Sequence, residues 1–391
     1  MSEEIKDPPA PTPEKAPEVL LPSEKDLILS PSPHVSDRSS VRKIMFMVIL
    51  CLLPAVAASC IFFGWEAARV IFVCVAGCVF FEYISCRIRK EKNTAGDLSA
   101  ALTGLLLALN VSPLTPSYLC IIGAFIAIVI AKVIFGGLGQ NPFNPAAVAR
   151  VALLIGAAGP MTRWLDPLVT FLPKDVPVMD AVSSATPLAG AAIAAKMSGV
   201  SGITSASQVL GETAGNTVAA SALEYYDSWQ FLAKAFIGQI PGSLGETSAL
   251  AILIGGIALI ALRVIKYHIP LAILGTVIVF VAVVNHFSPG TTPGPLFHLF
   301  TGGLMLGAFF MATDMVTSPV TVKGGILFGI GIGVIVSVIR IYGSFPEGMS
   351  FAIVIMNALV PLIDRICYVK PFGHQENIRS RKLEPRRGEI K

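Results

Sequence analysis

Ten long apolar segments follow one another along this chain and limit what it can fold into. They lie at about residues 43–63, 67–86, 97–110, 117–135, 145–160, 247–263, 269–286, 295–312, 323–342 and 349–367. A helix needs about 20 apolar residues to cross the roughly 30 Å hydrocarbon core of a bilayer. The segment at 97–110 is too short to cross alone, so we expect a half-helix or re-entrant segment there. The pattern predicts an all-α polytopic membrane protein with about ten transmembrane helices.

The composition agrees with this class. Of the 391 residues, 54% are hydrophobic and only 14% are charged, whereas soluble domains carry about 25% charged residues. Basic residues in such a chain report membrane orientation rather than nucleic-acid binding. We therefore expect the lipid bilayer as a partner and no nucleic acid. Cys74 and Cys78 lie one helical turn apart, but without a Cys-x-x-Cys pair we predict no metal or iron–sulfur site.

The basic residues that flank the segments fall on one side if there are ten crossings. They are Arg38, Arg42, Lys43, Arg87, Arg89, Lys90, Lys92, Arg263, Lys266, Lys323, Arg379, Arg381, Lys382, Arg386 and Arg387. The positive-inside tendency makes that side cytoplasmic. Both termini are then predicted to be cytoplasmic and the long loop 161–246 to be extracytoplasmic. Lys132 and Arg365 are expected to extend their charges to the inner interface.

An internal repeat indicates a five-plus-five construction. Thr103-Gly-Leu-Leu-Leu-Ala-Leu-Asn110, followed by Ser112-Pro113, resembles Thr301-Gly-Gly-Leu-Met-Leu with the later Ser318-Pro319. An odd number of crossings in each half makes the repeat inverted, with broken helices near the midplane. The division predicted is a disordered cytoplasmic tail (1–31), a first five-helix repeat (32–160), an extracytoplasmic loop (161–246), a second repeat (247–370) and a basic cytoplasmic tail (371–391).

The loop 161–246 contains a threonine in a run of small residues, Asp180-Ala-Val-Ser-Ser-Ala-Thr186-Pro-Leu-Ala189. Proline biases the residue before it away from helix. The segment is therefore expected to present the Thr186 hydroxyl on exposed, extended backbone, where the small Ser184 and Ala185 let a bulky group approach. The alternative is a turn with an incidental Thr-Pro.

Three motifs together resemble the NqrB/RnfD family of redox-complex membrane subunits. They are Gly136-Gly-Leu-Gly-Gln-Asn-Pro-Phe-Asn-Pro-Ala146, Ser183-Ser-Ala-Thr-Pro-Leu188 and Phe309-Phe-Met-Ala-Thr-Asp314. The resemblance covers residues 32 to about 370. Ser183-Ser-Ala, in place of the Ser-Gly-Ala of the quinone-reductase branch, favours the Rnf branch, as does the short approach to the first segment.

The resemblance implies that Thr186 carries FMN through a phosphoester bond, and it leaves noncovalent riboflavin open as a second cofactor. It implies a flavin transferase that acts outside the cytoplasmic membrane of a bacterium or archaeon. It further implies the other Rnf subunits (A, B, C, E and G) as partners, in a complex that couples electron transfer between ferredoxin and NAD to Na⁺ or H⁺ transport. On this reading the chain is one subunit of a translocase and is not catalytic alone.

Residues near the start of the sixth segment are candidates to hold this flavin. Glu246, Thr247 and Ser248 precede an apolar helix, and unpaired N–H groups at a helix start attract anions. The alternative is plain N-capping by Ser243 or Thr247. Glu246 is equally readable as a helix-start charge, a flavin neighbour or an ion ligand.

For the other polar residues in apolar surroundings, the sequence allows two roles each. Arg150, inside the fifth segment, contacts flavin or pairs with Asp314 or Asp97. Asp314 and Asp97 lie on a possible ion path, and the alternative for Asp314 is helix capping. Asn141 and Asn144 form a turn or donate to a second flavin.

Two other functions remain open from the sequence. One is an NqrB-like subunit of a Na⁺-translocating NADH:quinone reductase. The other is a flavin-free channel or secondary transporter for a small solute on the same five-plus-five plan, for which the Thr186 motif would be dispensable.

Overall fold

The computed structural model of the protein describes residues 40–90, 94–167, 186–197, 223–343, 345 and 347–368. Both predicted tails and most of the loop 161–246 lie outside the described residues, and so do Ser184 and Ala185. The helices are α1 (Val41–Phe63), α2 (Trp65–Arg89), α3 (Ser99–Leu109), α4 (Ser117–Phe125), α5 (Pro145–Gly156), α6 (Ala158–Met161), α7 (Pro187–Met197), α8 (Trp229–Ile237), α9 (Ala249–Ala261), α10 (His268–Phe287), α11 (Pro295–Phe300), α12 (Leu304–Leu306), α13 (Val322–Tyr342) and α14 (Met349–Ile366). Two π-helical segments, Ile126–Val133 and Gly307–Met311, continue α4 and α12.

Each of the ten predicted segments contains helix, and the chain is a multi-pass, all-helical membrane protein. Five helices are long and apolar enough to cross a membrane, namely α1, α2, α10, α13 and α14. The others are shorter or broken, because glycine and proline interrupt their apolar runs. As expected, α3 has only 11 residues. The predicted segment 295–312 is divided among α11, α12 and a π-helical turn.

Polar caps fix where several helices begin. The Asn144 side chain accepts hydrogen bonds from the N–H groups of Ala146 and Ala147 at the start of α5, with Pro145 at the first helical position. Ser248 caps α9 by accepting from the N–H of Ala251, at 3.2 Å. The expectation that Ser243 or Thr247 caps this helix is therefore wrong, because the helix starts later than the sequence suggested.

The long helices pack closely through small residues. On α13, Gly329 and Gly333 face α10, where an added Cβ atom would lie 2.7 Å from the Ala272 Cβ and 2.6 Å from the Thr276 Cβ. Such close backbone approach is typical of helices packed within a membrane. Elsewhere α1 packs against α9, and α5 packs against α14.

A buried ion pair joins α2 to the π-helical segment that follows α4. Lys132 is 1% exposed, and its Nζ lies 2.9 Å from both carboxylate oxygens of Glu82 and 2.9 Å from the Ser99 Oγ. Thr94 also donates to Glu82, at 2.7 Å. The expectation that Lys132 extends to the interface is wrong, because three acceptors on neighbouring elements occupy all three of its N–H donors.

Candidate functional site

Thr186 stands at the N-terminus of α7. Its Oγ1 accepts a hydrogen bond from the N–H of Ala189 at 3.2 Å, and its carbonyl accepts from the N–H of Gly190 at 2.9 Å. This is N-cap geometry. The side chain is 3% exposed, so the expected exposure of the hydroxyl is wrong, although Thr186 itself stays outside the helix, as its position before proline predicted. The reason is that the residues after Thr186 form a helix, and the hydroxyl turns back onto that helix.

α7 docks against an aromatic cluster. Leu188 and Ala191 are buried together with Phe231 and Phe297. Tyr226 packs on both of these rings, with centroid distances of 5.1 and 5.3 Å. Its hydroxyl lies over Gly190, where an added Cβ would collide with it. The sequence analysis treated 161–246 as a loop, and the helices α7 and α8 are additional to that description.

Arg340 lies next to the docked helix. Its Nη1 donates to the His298 carbonyl at 2.6 Å, and its Nη2 donates to the Thr301 carbonyl at 3.1 Å. An added Cβ on Gly302 would lie 2.5 Å from the Arg340 Nη2 and 2.5 Å from the Leu188 Cδ1. Because both atoms lie 2.5 Å from the same point, the Arg340 Nη2 and the Leu188 Cδ1 are at most about 5 Å apart. Leu188 is two residues after Thr186.

Four charged side chains and a histidine form one buried group, which we call the Arg340 cluster: Arg150, Glu246, His298, Arg340 and Glu347. The Arg150 Nη2 lies 2.5 Å from the Glu347 Oε2. Glu246 and Glu347 lie close enough to Arg340 to interact with its charge. The predicted pairing of Arg150 with Asp314 or Asp97 is therefore wrong, since the partner is Glu347.

The pKa values of the two carboxyl groups of the Arg340 cluster shift in opposite directions. Burial, followed by the negative charge of Glu347, raises the pKa of Glu246 well above its ordinary value. The Arg150 guanidinium, in contact with Glu347, holds the pKa of Glu347 below its ordinary value. A negative charge in the cluster is therefore favoured on Glu347 rather than on Glu246.

Several polar atoms of the Arg340 cluster have no hydrogen-bond partner in the described part of the chain. They are the Arg150 Nη1, the His298 Nδ1, the Arg340 Nε and the Glu347 Oε1, and all are buried. Buried polar atoms are nearly always hydrogen-bonded in folded proteins. Water molecules or a polar ligand would satisfy these atoms.

Sequence reasoning missed Arg340 and Glu347. Arg340 is a charged residue in the last turn of an otherwise apolar helix, α13, and such residues usually mark function. That signal was available in the sequence. Glu347 lies in a short loop, and nothing in its sequence surroundings distinguished it from a solvated loop charge.

A second candidate site is a pocket, which we call the Asn141 pocket. It encloses about 830 Å³ not filled by protein atoms, including its open mouth, and Phe309 and Phe310 form part of its apolar wall. Its polar lining includes Lys132, Asn141, Asn144 and Asp314. This volume is an upper limit on what the pocket holds, because it includes open space outside the mouth.

The two asparagines of the Asn141 pocket have different partners. The Asn144 Nδ2 donates to the Met311 carbonyl at 3.1 Å, and its oxygen caps α5. The Asn141 Nδ2 donates to the Phe143 carbonyl at 3.0 Å, which is typical of a turn former. The Asn141 Oδ1 is buried without a hydrogen-bond partner among the described residues. Asn141 is thus the better placed of the two to contact a ligand, and as an acceptor rather than a donor.

Asp314 lies half-buried in the wall of this pocket. It accepts long hydrogen bonds from the Val316 N–H at 3.4 Å and the Thr317 hydroxyl at 3.3 Å, and the Met315 N–H also stabilises its charge. Burial raises its pKa. Asp97 lies in a separate 3₁₀ turn, Ala95–Asp97. Within the described ranges, no three His, Cys, Asp or Glu side chains come together in a way that could hold a metal ion.

Comparison with known proteins gives consistent matches. A family model described as "NQR2, RnfD, RnfE family" matches residues 28–373. The chain is 42% identical over 353 residues to the D subunit of the ion-translocating oxidoreductase complex of Stutzerimonas stutzeri, covering 88% of this chain and 95% of that protein. It is 40% identical over 346 residues to the D subunit of the proton-translocating ferredoxin:NAD(+) oxidoreductase complex of Clostridium ljungdahlii, covering 88% and 96%. The corresponding protein of Vibrio atlanticus is 38% identical over 358 residues, covering 88% and 99%.

Proposed function

Because the chain belongs to the NQR2, RnfD, RnfE family, as its three motifs predicted, we propose that it is the D-type membrane subunit of an ion-translocating ferredoxin:NAD oxidoreductase. The chain spans nearly the full length of two relatives that carry such names. The complex couples electron transfer to the movement of Na⁺ or H⁺, and this subunit relays electrons within it. The other Rnf subunits (A, B, C, E and G) are its partners.

Thr186 is the proposed attachment point of FMN. When bound, FMN supplies one- and two-electron transfer. Thr186 supplies the ester oxygen, and α7 supplies a helix N-terminus at which a negatively charged phosphodiester is favoured. The unsatisfied atoms of the Arg340 cluster fit a polar group bound beside α7. A separate flavin transferase is required for the attachment.

The other predicted flavin contacts divide according to their present partners. The Thr247 hydroxyl donates to the Leu244 carbonyl at 2.8 Å, and Ser248 caps α9. Both side chains therefore make hydrogen bonds within the protein and are not proposed as flavin contacts. Glu246 belongs to the Arg340 cluster, which lies beside the proposed flavin site, so Glu246 is kept as a proposed flavin neighbour. Arg150 is tied to Glu347 but keeps the unpaired Nη1. Ser184 and Ala185 are proposed to leave room around the Thr186 hydroxyl.

The Asn141 pocket is the proposed site of a noncovalent riboflavin. Asn141 offers an unpartnered acceptor oxygen, and Phe309 and Phe310 offer an apolar wall for a ring. Asp314 in the same wall is the proposed element of the ion path, since its carboxylate is only weakly held. Asp97 is proposed as a second acidic residue along that path.

The fold is proposed to be an inverted five-plus-five repeat, with residues 32–160 and 247–370 as its halves. The packing of α1 against α9 and of α5 against α14 joins counterpart helices of the two halves and supports this arrangement. A π-helical segment in each half supports broken helices as well. On the orientation given by the basic residues, both termini are cytoplasmic, and Thr186 and α7 lie outside.

The decisive experiment measures the mass of the peptide that contains Thr186. We expect the mass of FMN less one water in protein made together with its flavin transferase, and a fluorescent band after denaturing electrophoresis. Thr186→Ala should abolish both. Thr321→Ala is the matched control, because Thr321 is also an N-cap threonine, accepting from the Gly324 N–H at 2.9 Å, and it should keep the adduct. An unmodified Thr186 under these conditions would refute the proposal.

A further inference from the structure

Arg340 is the cation of its cluster that lacks an ion-pair partner. Arg150 forms a salt bridge with Glu347, whereas no carboxylate among the described residues forms one with Arg340. The Arg340 guanidinium is nevertheless buried, with 5% of the residue exposed. An unbalanced buried charge is costly. The cluster consequently favours the binding of one anion.

Arg340 has hydrogen-bond donors left for such an anion. A guanidinium has five N–H donors, and two of the groups on Arg340 bind the carbonyls of His298 and Thr301. The Nε has no partner among the described residues. These two backbone contacts hold the side chain in one position, so the remaining donors are fixed before a ligand arrives.

The geometry brings these donors to the end of α7 that begins at Thr186. Leu188, in the first turn of α7, and the Arg340 Nη2 both lie against Gly302. Gly302 has a φ of +70°, a conformation that favours glycine, and any side chain there would separate Leu188 from Arg340. The helix N-terminus and the guanidinium therefore face one small region.

We propose that Arg340 binds the phosphodiester that links Thr186 to FMN and thereby keeps α7 docked with its flavin attached. This inference rests on the proposed covalent flavin. A phosphodiester carries one negative charge, which matches the single positive charge of Arg340. Planar guanidinium groups bind phosphate oxygens through paired N–H donors.

The test is a double-mutant cycle in the assembled complex, which compares the effect of changing Arg340 with and without the flavin. R340Q and the conservative R340K are made in the parent and in the T186A background, and amide hydrogen exchange is measured for the peptide of α7. The Gly190 amide is bonded to the Thr186 carbonyl at 2.9 Å, an acceptor that T186A keeps, so its exchange reports opening of the helix in both backgrounds. R340Q should raise this exchange roughly tenfold more with flavin than without, which is the effect expected from one charged hydrogen bond. R340K should give a smaller difference in the same direction.

Arg69 provides the control. It also ties a loop through backbone carbonyls, those of Pro113 and Thr115, and R69Q should change α7 exchange equally in both backgrounds. Equal effects of R340Q in both backgrounds would overturn the inference, because Arg340 would then support only the protein. If R340Q does not accumulate, the same comparison is made with R340K, and equal exchange in its two backgrounds overturns the inference as well. The mass of the Thr186 peptide, measured first, separates this failure from failure of the proposed flavin attachment.

Discussion

The ion pair between Glu82 and Lys132 gives a prediction whose size follows from its burial. The two side chains are 5% and 2% exposed, and every N–H donor of Lys132 has an acceptor. Lys132→Met removes the cation and leaves a buried carboxylate with only Thr94 as a donor. Breaking a buried pair on one side costs about 3–5 kcal/mol. We expect the free energy of unfolding to fall by about that amount.

The double variant with Glu82→Met tests the reason for this loss. Replacing both members of a buried pair with apolar side chains is often neutral or stabilising by about 1–4 kcal/mol. The Thr94 and Ser99 hydroxyls lose a partner, which offsets this by about 1 kcal/mol each. The double variant should therefore recover most of the stability lost by Lys132→Met.

Unfolding in mixed micelles, followed by circular dichroism as denaturing detergent is added, measures these differences. Lys266→Met is the matched control, because Lys266 is an exposed lysine and should change stability by no more than about 0.5 kcal/mol. A Lys132→Met variant that behaves like this control would refute the reasoning. It would mean that the ammonium group reaches the interface after all, as the sequence suggested.

Three further predictions follow from the two sites. Glu246→Gln should lower the free energy of unfolding little at neutral pH, because burial raises the pKa of this carboxyl group. As the pH rises above the ordinary pKa of 4.5, the parent protein should lose stability relative to Glu246→Gln. Glu347→Gln, by contrast, should cost about 3–5 kcal/mol because it leaves a buried guanidinium without its carboxylate; equal Tm losses for the two variants at neutral pH would contradict the assigned protonation. Asn144→Ala should lower stability by about 2 kcal/mol, since it removes a helix cap and the donor to a buried carbonyl, and a Tm equal to that of the parent would contradict this. Gly190→Ala should undock α7 because its methyl group meets the tyrosine hydroxyl, measured as faster proteolysis of α7, whereas Gly159→Ala, at a position with open space, should match the parent.

The sequence predicted the helices well because apolar length and short interruptions are local properties. The half-length of α3 could be read from the length of its apolar segment, whereas the segment 295–312 was predicted as one helix and is divided in the structure. The resemblance to the family rested on short motifs and was confirmed over most of the chain.

The charge pairings could not be predicted because they join distant parts of the sequence. Arg150 and Glu347 are 197 residues apart, and Lys132 and Glu82 are 50 apart. Such contacts depend on which helices are neighbours, and periodicity does not determine this. The burial of Thr186 escaped prediction for a related reason. The proline after it correctly indicated that Thr186 is not helical, but proline is also favoured in the first turn of a helix, and the sequence did not show that the hydroxyl turns back onto α7.

The shortness of α3 connects the two candidate sites. The Asn141 pocket runs along α3 from Ser99 to Leu106. The Leu109 carbonyl, about one turn further on, accepts from the Gly245 N–H at 2.6 Å, next to Glu246 of the Arg340 cluster. A helix of 11 residues is about 16 Å long, roughly half the thickness of the hydrocarbon core. A full-length helix in this place would hold the Glu246 loop farther from the pocket. The half-helix therefore keeps the two candidate sites within its own length, and in the proposed function this short separation would favour electron transfer between them.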